Sequence, residues 1–240
     1  MSEYRVVCMQ RTGSTFLTNY IKKFYNVKSE FEFLLDSHVL HNDGTLTYDK
    51  SLRYTGASLD RVLKKLDYLD ETKLSELNFQ LKIIPNSTMK LGIENRLTNY
   101  LKGYKILTIA RNPWDSFMSI QYQKETNWEY AHNVHQGIEP RKIHYTLKEE
   151  DIIRYAINWW YDVKFISNLE PHVFDYEDLS AESLNEFFGK QVKPDHWPLG
   201  IDYKELILNY NEAYTIFNKH FAGWESALYI MGSNRNEVMG

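Results

Sequence analysis

The sequence has little of what staples or anchors a protein from outside its core. Cys8 is the single cysteine among 240 residues, which excludes an internal disulfide framework and fits a reducing compartment. No apolar run approaches the ~20 residues that a membrane helix needs. The N-terminus, Met1-Ser2-Glu3-Tyr4-Arg5, passes straight into a short apolar run. It shows no charged lead, long apolar stretch and small-residue cleavage site of a secretory signal. Positive charge is not in excess either: 28 Lys and Arg against 32 Asp and Glu leave a formal charge of −4. No global basic field draws the chain to nucleic acid or a membrane surface, so any anion site must be local. These absences predict a cytoplasmic protein with no nucleic-acid partner and no membrane span. Oligomeric state is not legible in the sequence.

What is present is the balance of a globular chain, 43% apolar and 25% charged. Without repeats, low-complexity segments or a convincing linker, residues 1–232 read as one α/β domain and 233–240 as a frayed tail. Tyr4–Met9 is a short apolar run readable as a buried strand. A helical pattern follows, with Phe16, Leu17, Tyr20, Ile21 and Phe24 on one face. Residues 26–57 read as irregular and polar. Ser58 can cap a helix carrying Leu59, Val62, Leu63, Leu66 and Leu69. Phe79–Ile84, Tyr104–Ala110 and His172–Tyr176 read as further strands. Asn112, Pro113 and Asp115 signal a helix start after the second of these. Thr146-Leu-Lys-Glu149 has the pattern of a capping box ahead of a long helix. Residues 125–145 read as a surface loop or lid, and helical stretches fill 180–231. Strands alternating with helices predict a mainly parallel central sheet with helices on both faces, a three-layer sandwich, and a helical C-terminal part.

In such sheets ligands bind at the carboxyl ends of the strands. Two strand ends stand out. The first runs Gln10-Arg11-Thr12-Gly13-Ser14-Thr15 into a helix. A sharp strand-to-helix turn aims unpaired N–H groups at one spot, which the helix dipole also favours for negative charge. Gly13 permits close approach, the hydroxyls of Thr12, Ser14 and Thr15 add donors, and Arg11 offers a planar charged fork. An ordinary turn whose hydroxyl residue caps the helix explains this loop alone about as well. The ATP-type phosphate loop is excluded, because it needs two glycines and a lysine. A phosphatase-type loop would need arginine six positions after Cys8, where Ser14 stands. At the second strand end, Arg111 and Ser119 lie eight residues apart and can converge on another phosphate.

Together these loops resemble those of the PAPS-dependent sulfotransferases, a P-loop nucleoside-kinase-like fold; PAPS is 3′-phosphoadenosine-5′-phosphosulfate. The likeness covers roughly residues 4–180. The family's first loop, a strand followed by a basic residue, a hydroxyl residue, glycine and two hydroxyl residues, matches Arg11-Thr12-Gly13-Ser14-Thr15, with Phe16 next to it. Its second motif matches Arg111-Asn112-Pro113-Trp114-Asp115 and Ser119, and a weaker third matches Tyr176-Glu177-Asp178-Leu179. The resemblance implies that the first loop holds the 5′-phosphosulfate and that Arg111 and Ser119 hold the 3′-phosphate. It also implies a small-molecule or carbohydrate acceptor, 3′,5′-ADP as product, and no metal. No counterpart of the Gly-rich, basic segment that closes over the nucleotide in the cytosolic branch is visible.

The cytosolic branch takes its general base from a histidine on the strand before the second motif, and Phe79–Ile84 has none. The bacterial trehalose-type branch uses a glutamate in an acidic-aromatic segment, which Ser29-Glu-Phe-Glu-Phe-Leu34 resembles more closely. That makes Glu32 the first candidate for the base and Glu30 the second, with Lys82 placed to contact the sulfate. A solvated loop carboxylate is the competing account of either glutamate. The pairs His38/His41 and His132/His135 lack a third partner for a metal, though His38 and His41 stay in reserve as bases. Trp128, Tyr130 and Tyr145 can stack on an acceptor. Trp159 and Trp160 read as core. A P-loop-type kinase and a non-catalytic nucleotide-binding module remain the alternatives.

Overall fold

Neighbouring residues at the start of the chain point into two different cores. Val6 and Cys8 pack with Leu17, Tyr20, Ile21 and Leu184, while Val7 and Met9 pack with Val62, Leu66, Leu97 and Phe117. Residues 106–110 repeat the alternation, with Leu107 and Ile109 in the first core and Ile106 and Ala110 in the second. A period of two that is apolar on both sides is the signature of a strand covered on both faces.

The computed structural model describes residues 4–26, 28–30, 32–52, 56–71, 79–87, 91–126, 142–191 and 201–233. Strands β1 (Tyr4–Val7), β2 (Lys28–Glu30), β5 (Phe79–Ile83), β6 (Lys105–Ala110) and β7 (His172–Asp175) form a five-stranded sheet in the order β2-β5-β1-β6-β7. Each neighbouring pair in it is parallel. Strands β3 (His38–Leu40) and β4 (Leu46–Tyr48) form a separate antiparallel hairpin. Helices α1 (Ser14–Tyr25) and α6 (Ala181–Phe188) cover one face of the sheet. The other face carries α2 (Leu59–Glu71), α3 (Glu94–Leu101), α4 (Pro113–Thr126) and α5 (Glu149–Ser167). With them pack α7 (Tyr210–His220) and α8 (Trp224–Ser233), where Phe217 stacks on Phe221 at 4.0 Å. The expected three-layer α/β architecture is therefore present. No helix among the described residues is long and apolar enough to cross a membrane.

Helix α4 starts as its sequence dictates: Asn112 Oδ1 accepts from Trp114 N at 2.8 Å, and Pro113 is the first helical residue. Two expectations fail. The 26–57 stretch is not wholly irregular, since it contributes the edge strand β2 and the β3–β4 hairpin. The Thr146–Glu149 capping box does not form, because α5 begins at Glu149 behind Lys148 without a side-chain cap. A distant residue has captured the segment instead: Asn209 Oδ1 accepts from Leu147 N at 2.9 Å, and Asn209 Nδ2 donates to Leu147 O at 3.0 Å. Glu149, Glu150 and Asp151 then supply the negative charge that suits the helix N-terminus. A capping box does form at Ser180 and Ser183, ahead of α6. Ser233, read as the start of the tail, is instead the last residue of α8, and 234–240 lie outside the described residues.

One tie fixes the exit of β5. Asp162 of α5, only 1% exposed, accepts from Asn86 N and Asn86 Nδ2, both at 2.6 Å. Burial pushes this carboxyl up to about 8, and the Asn86 donors draw it partly back. The folded chain thus keeps a proton that the unfolded chain releases near 3.8. The resulting stability is full below that value and is lost as pH rises through about 8. The midpoint of thermal unfolding is expected to fall between roughly pH 5 and 8. Thermal melts of Asp162→Asn across the same range should show a flatter slope, and an unchanged slope would remove Asp162 as its source.

Candidate functional site

The first loop has an unusual backbone. Arg11 has φ 59° and Gly13 has φ 82°, both in the left-handed region. Glycine enters that region freely, but a side-chain-bearing residue pays about 1–2 kcal/mol there. Gly13 occupies the N-cap position of α1 without a side-chain cap, and its carbonyl accepts from Phe16 N at 2.9 Å. The N–H groups of Ser14 and Thr15 therefore lie at the mouth of the loop, at a helix N-terminus suited to an anion. The hydroxyls do not all face it. Thr12 is buried and donates to Met9 O at 3.0 Å, so it closes the loop rather than lining it. Ser14 is buried against the Cys8 thiol, whereas Thr15 and Phe16 are half-buried.

Arg111 follows β6 and meets the first loop. Its Nη1 donates to Arg11 O at 2.7 Å, and its guanidinium stacks over the Tyr176 ring at 4.1 Å. Arg11 Nε in turn donates to Ser119 Oγ at 3.0 Å, so a residue from each loop is bonded to the other. The buried Arg111 Nε has no hydrogen-bond partner among the described residues. Helices α1 and α4 leave β1 and β6 on opposite faces of the sheet. The two arginines therefore stand at the topological switch point, where open parallel sheets bind ligands. Burial pushes the Arg11 guanidinium below its ordinary value; Tyr203 opposes this, Arg111 adds to it, and Tyr176 and Glu32 oppose it. Arginine stays charged regardless. Tyr203 was not legible in the sequence, since nothing in Ile201-Asp202-Tyr203 forms a motif. Its ring packs edge-on against Tyr122 at 5.7 Å, one helical turn beyond Ser119.

On the other side of β1, Glu32 follows β2 with φ 52°. Lys82 of β5 reaches its Oε1 at 3.3 Å, with side-chain exposures of 6% for the lysine and 36% for the glutamate. Of Glu30 only the backbone, on β2, is among the described residues. His38 and His41 belong to the β3–β4 hairpin, where His41 Nε2 hydrogen-bonds Thr47 Oγ1 at 2.8 Å and His38 packs on Tyr48. Trp128, Tyr130, His132 and His135 lie outside the described residues. Tyr145 is buried, and its hydroxyl has no partner among the described residues. Trp159 is core, and Trp160 packs against it and donates to His220 O. No three described His, Cys, Asp or Glu side chains converge as a metal site.

Beyond Arg111, a groove of about 600 Å³ opens at the ends of β6 and β7. Arg111, Asn112 and Asp175 line one wall, and Trp224, Leu228 and Tyr229 of α8 line the other. The site is thus polarised: a carboxylate–lysine pair on the β2–β5 side, two arginines in the centre, and an aromatic-walled groove on the β6–β7 side.

No protein family's sequence profile matches the chain. No curated protein matches it either. Among solved structures it is similar to the crystal structure of a sulfotransferase from Alicyclobacillus acidocaldarius, with 15% identity and a TM-score of 0.47. The alignment covers 95% of this chain and 96% of that one. A likeness at that level carries no weight for the chemistry.

Cys8 sits directly behind the loop, fully buried, and burial pushes its thiol up to about 11. It is expected to resist an aromatic disulfide reagent at pH 8 in the folded protein and to react once urea unfolds the chain. Rapid labelling of the native protein would show that the loop opens.

Proposed function

We propose that the chain transfers a sulfuryl group from PAPS to a hydroxyl of a carbohydrate or other small molecule in the cytoplasm, releasing 3′,5′-ADP. The observation that carries this reading is the bonded pair Arg11–Arg111 at the switch point, with Ser119 accepting from Arg11. Two like charges held together call for an anion, and a nucleoside bearing phosphate at both its 5′ and 3′ positions answers both loops at once. Arg11 and the N–H groups of Ser14 and Thr15 would take the 5′ side. The Arg111 Nε, buried without a partner among the described residues, and the Ser119 hydroxyl, which still has its own proton to donate, would take the 3′-phosphate. The nucleoside would lie in the groove beyond Arg111, with Trp224 and Leu228 as apolar surface and Asp175, Glu177 and Glu225 as hydrogen-bond acceptors. Helix α8 would then cover the adenosine in place of a Gly-rich segment.

The acceptor enters from the opposite side, past Glu32. Its oxygen bonds to sulfur as the bond from sulfur to the bridging phosphate oxygen breaks. The acceptor proton passes to Glu32, and the electron pair leaves with 3′,5′-ADP. Lys82, paired to Glu32 at 3.3 Å, would orient the carboxylate and contact the moving sulfuryl group. Arg11 and the loop N–H groups meet the charge that grows on the bridging oxygen. Preorganised donors of this kind are worth about 3–4 kcal/mol each.

At a hundredfold excess over Kd, 3′,5′-ADP should stabilise the fold by about 2.7 kcal/mol, a rise in melting temperature of roughly 5–10 °C. ATP with Mg²⁺ should do little. Arg111→Ala should abolish the shift, and Arg11→Ala should lower kcat about 100-fold or more. A flat melting response to 3′,5′-ADP would overturn the proposal, and magnesium-dependent ATP turnover would replace it with a kinase.

A further inference from the structure

Glu32 belongs to no helix or strand, yet the segment that follows it is gripped from one side of α2. Lys65 is 2% exposed, and its ammonium donates to Phe33 O at 2.8 Å and to Leu35 O at 2.6 Å. Arg61 Nη1, one turn earlier, donates to Asp36 O at 3.4 Å. Ser58, just ahead of the helix, gives both its N–H (2.9 Å) and its hydroxyl (3.0 Å) to Asp36 Oδ1. Arg61 and Lys65 lie one turn apart on one helical face with Ser58 just ahead of them, so a rigid rod holds residues 33–36 at three points.

A lysine is an expensive way to fill this space. Phe33, Leu34, Val62 and Leu66 around it are all core residues, and an apolar side chain would satisfy them without taking a cation out of water. Burial accordingly pushes the Lys65 ammonium down to about 8, against the pull of nearby Asp36. An apolar residue cannot bond two carbonyls of one loop. Those bonds are made one and three residues beyond Glu32, whose left-handed backbone turn has to be held from outside.

We infer that Lys65 is a positioning residue that locks the 33–36 loop and thereby holds Glu32 against Lys82 at the acceptor side. The inference rests on the reading of Glu32 as the base, and two independent measurements separate their fates. The first is amide hydrogen exchange. In Lys65→Met, exchange at Leu35 and Asp36, which bond to Glu32 O and Gly56 O, should rise at least tenfold. The Cys8 amide, which bonds to Ile83 O in the sheet, should be unchanged. The second is kinetic. In Lys65→Met, kcat for sulfuryl transfer should fall at least tenfold, with KM for PAPS and Kd for 3′,5′-ADP within twofold of wild type. In a Glu32→Gln background the same substitution should cost nothing more. Lys65→Gln, which keeps a neutral donor and disturbs the fold less, should lie between wild type and Lys65→Met in both measurements. Wild-type exchange at Leu35 and Asp36 in Lys65→Gln and Lys65→Met would overturn the inference, as would a kcat loss that persists in Glu32→Gln. If Glu32→Gln alone keeps full turnover, the assignment of the base fails, and exchange still decides whether Lys65 holds the loop.

Discussion

The site is built around two guanidinium groups that repel each other and are nevertheless held close by the loops that carry them. Arg111 donates to the backbone of Arg11, and Arg11 donates to a hydroxyl on the helix that Arg111 introduces. Each loop is therefore shaped by the other, although 100 residues separate them. The proximity of like charge is itself a cost, since Arg111 is among the influences that depress Arg11. In the proposed function, an anion lying between them would remove that cost.

The sheet makes this meeting possible. Because β1 and β6 are neighbours whose helices depart to opposite faces, their carboxyl ends leave a crevice that neither helix fills. The same order places β2 and β5 on one flank and β7 on the other. In the proposed function, the donor lies along the strand ends with its reacting end toward Glu32 and Lys82 and its nucleoside toward α8. The Asp162–Asn86 tie and the grip of Lys65 both act on the first flank, where they fix the exit of β5 and the loop after β2.

Much of this was legible in the sequence, for physical reasons. Apolar β1 and β6 are buried on both sides, so their residue types are dictated; Asn112 and Pro113 act locally and announce α4. What escaped depends on partners far along the chain. β2 is a three-residue polar edge strand, visible only through its pairing with β5. The Thr146–Glu149 pattern was locally sound but lost to Asn209, 62 residues away. Lys65 stands in a helix whose apolar stripe makes any lysine look solvated, and Tyr203 sits in a segment without periodicity. Thr12 belongs to the first loop, but its hydroxyl turns inward to Met9 O.

The left-handed backbone at Arg11 has an evolutionary corollary. Glycine at that position would relax the turn by about 1 kcal/mol and would also delete the guanidinium that reaches Ser119. Under the proposed function, selection for thermostability alone and selection for turnover would therefore pull this codon in opposite directions. A population evolved only to survive heat should then drift toward a sturdier protein that has lost the proposed activity at a single position.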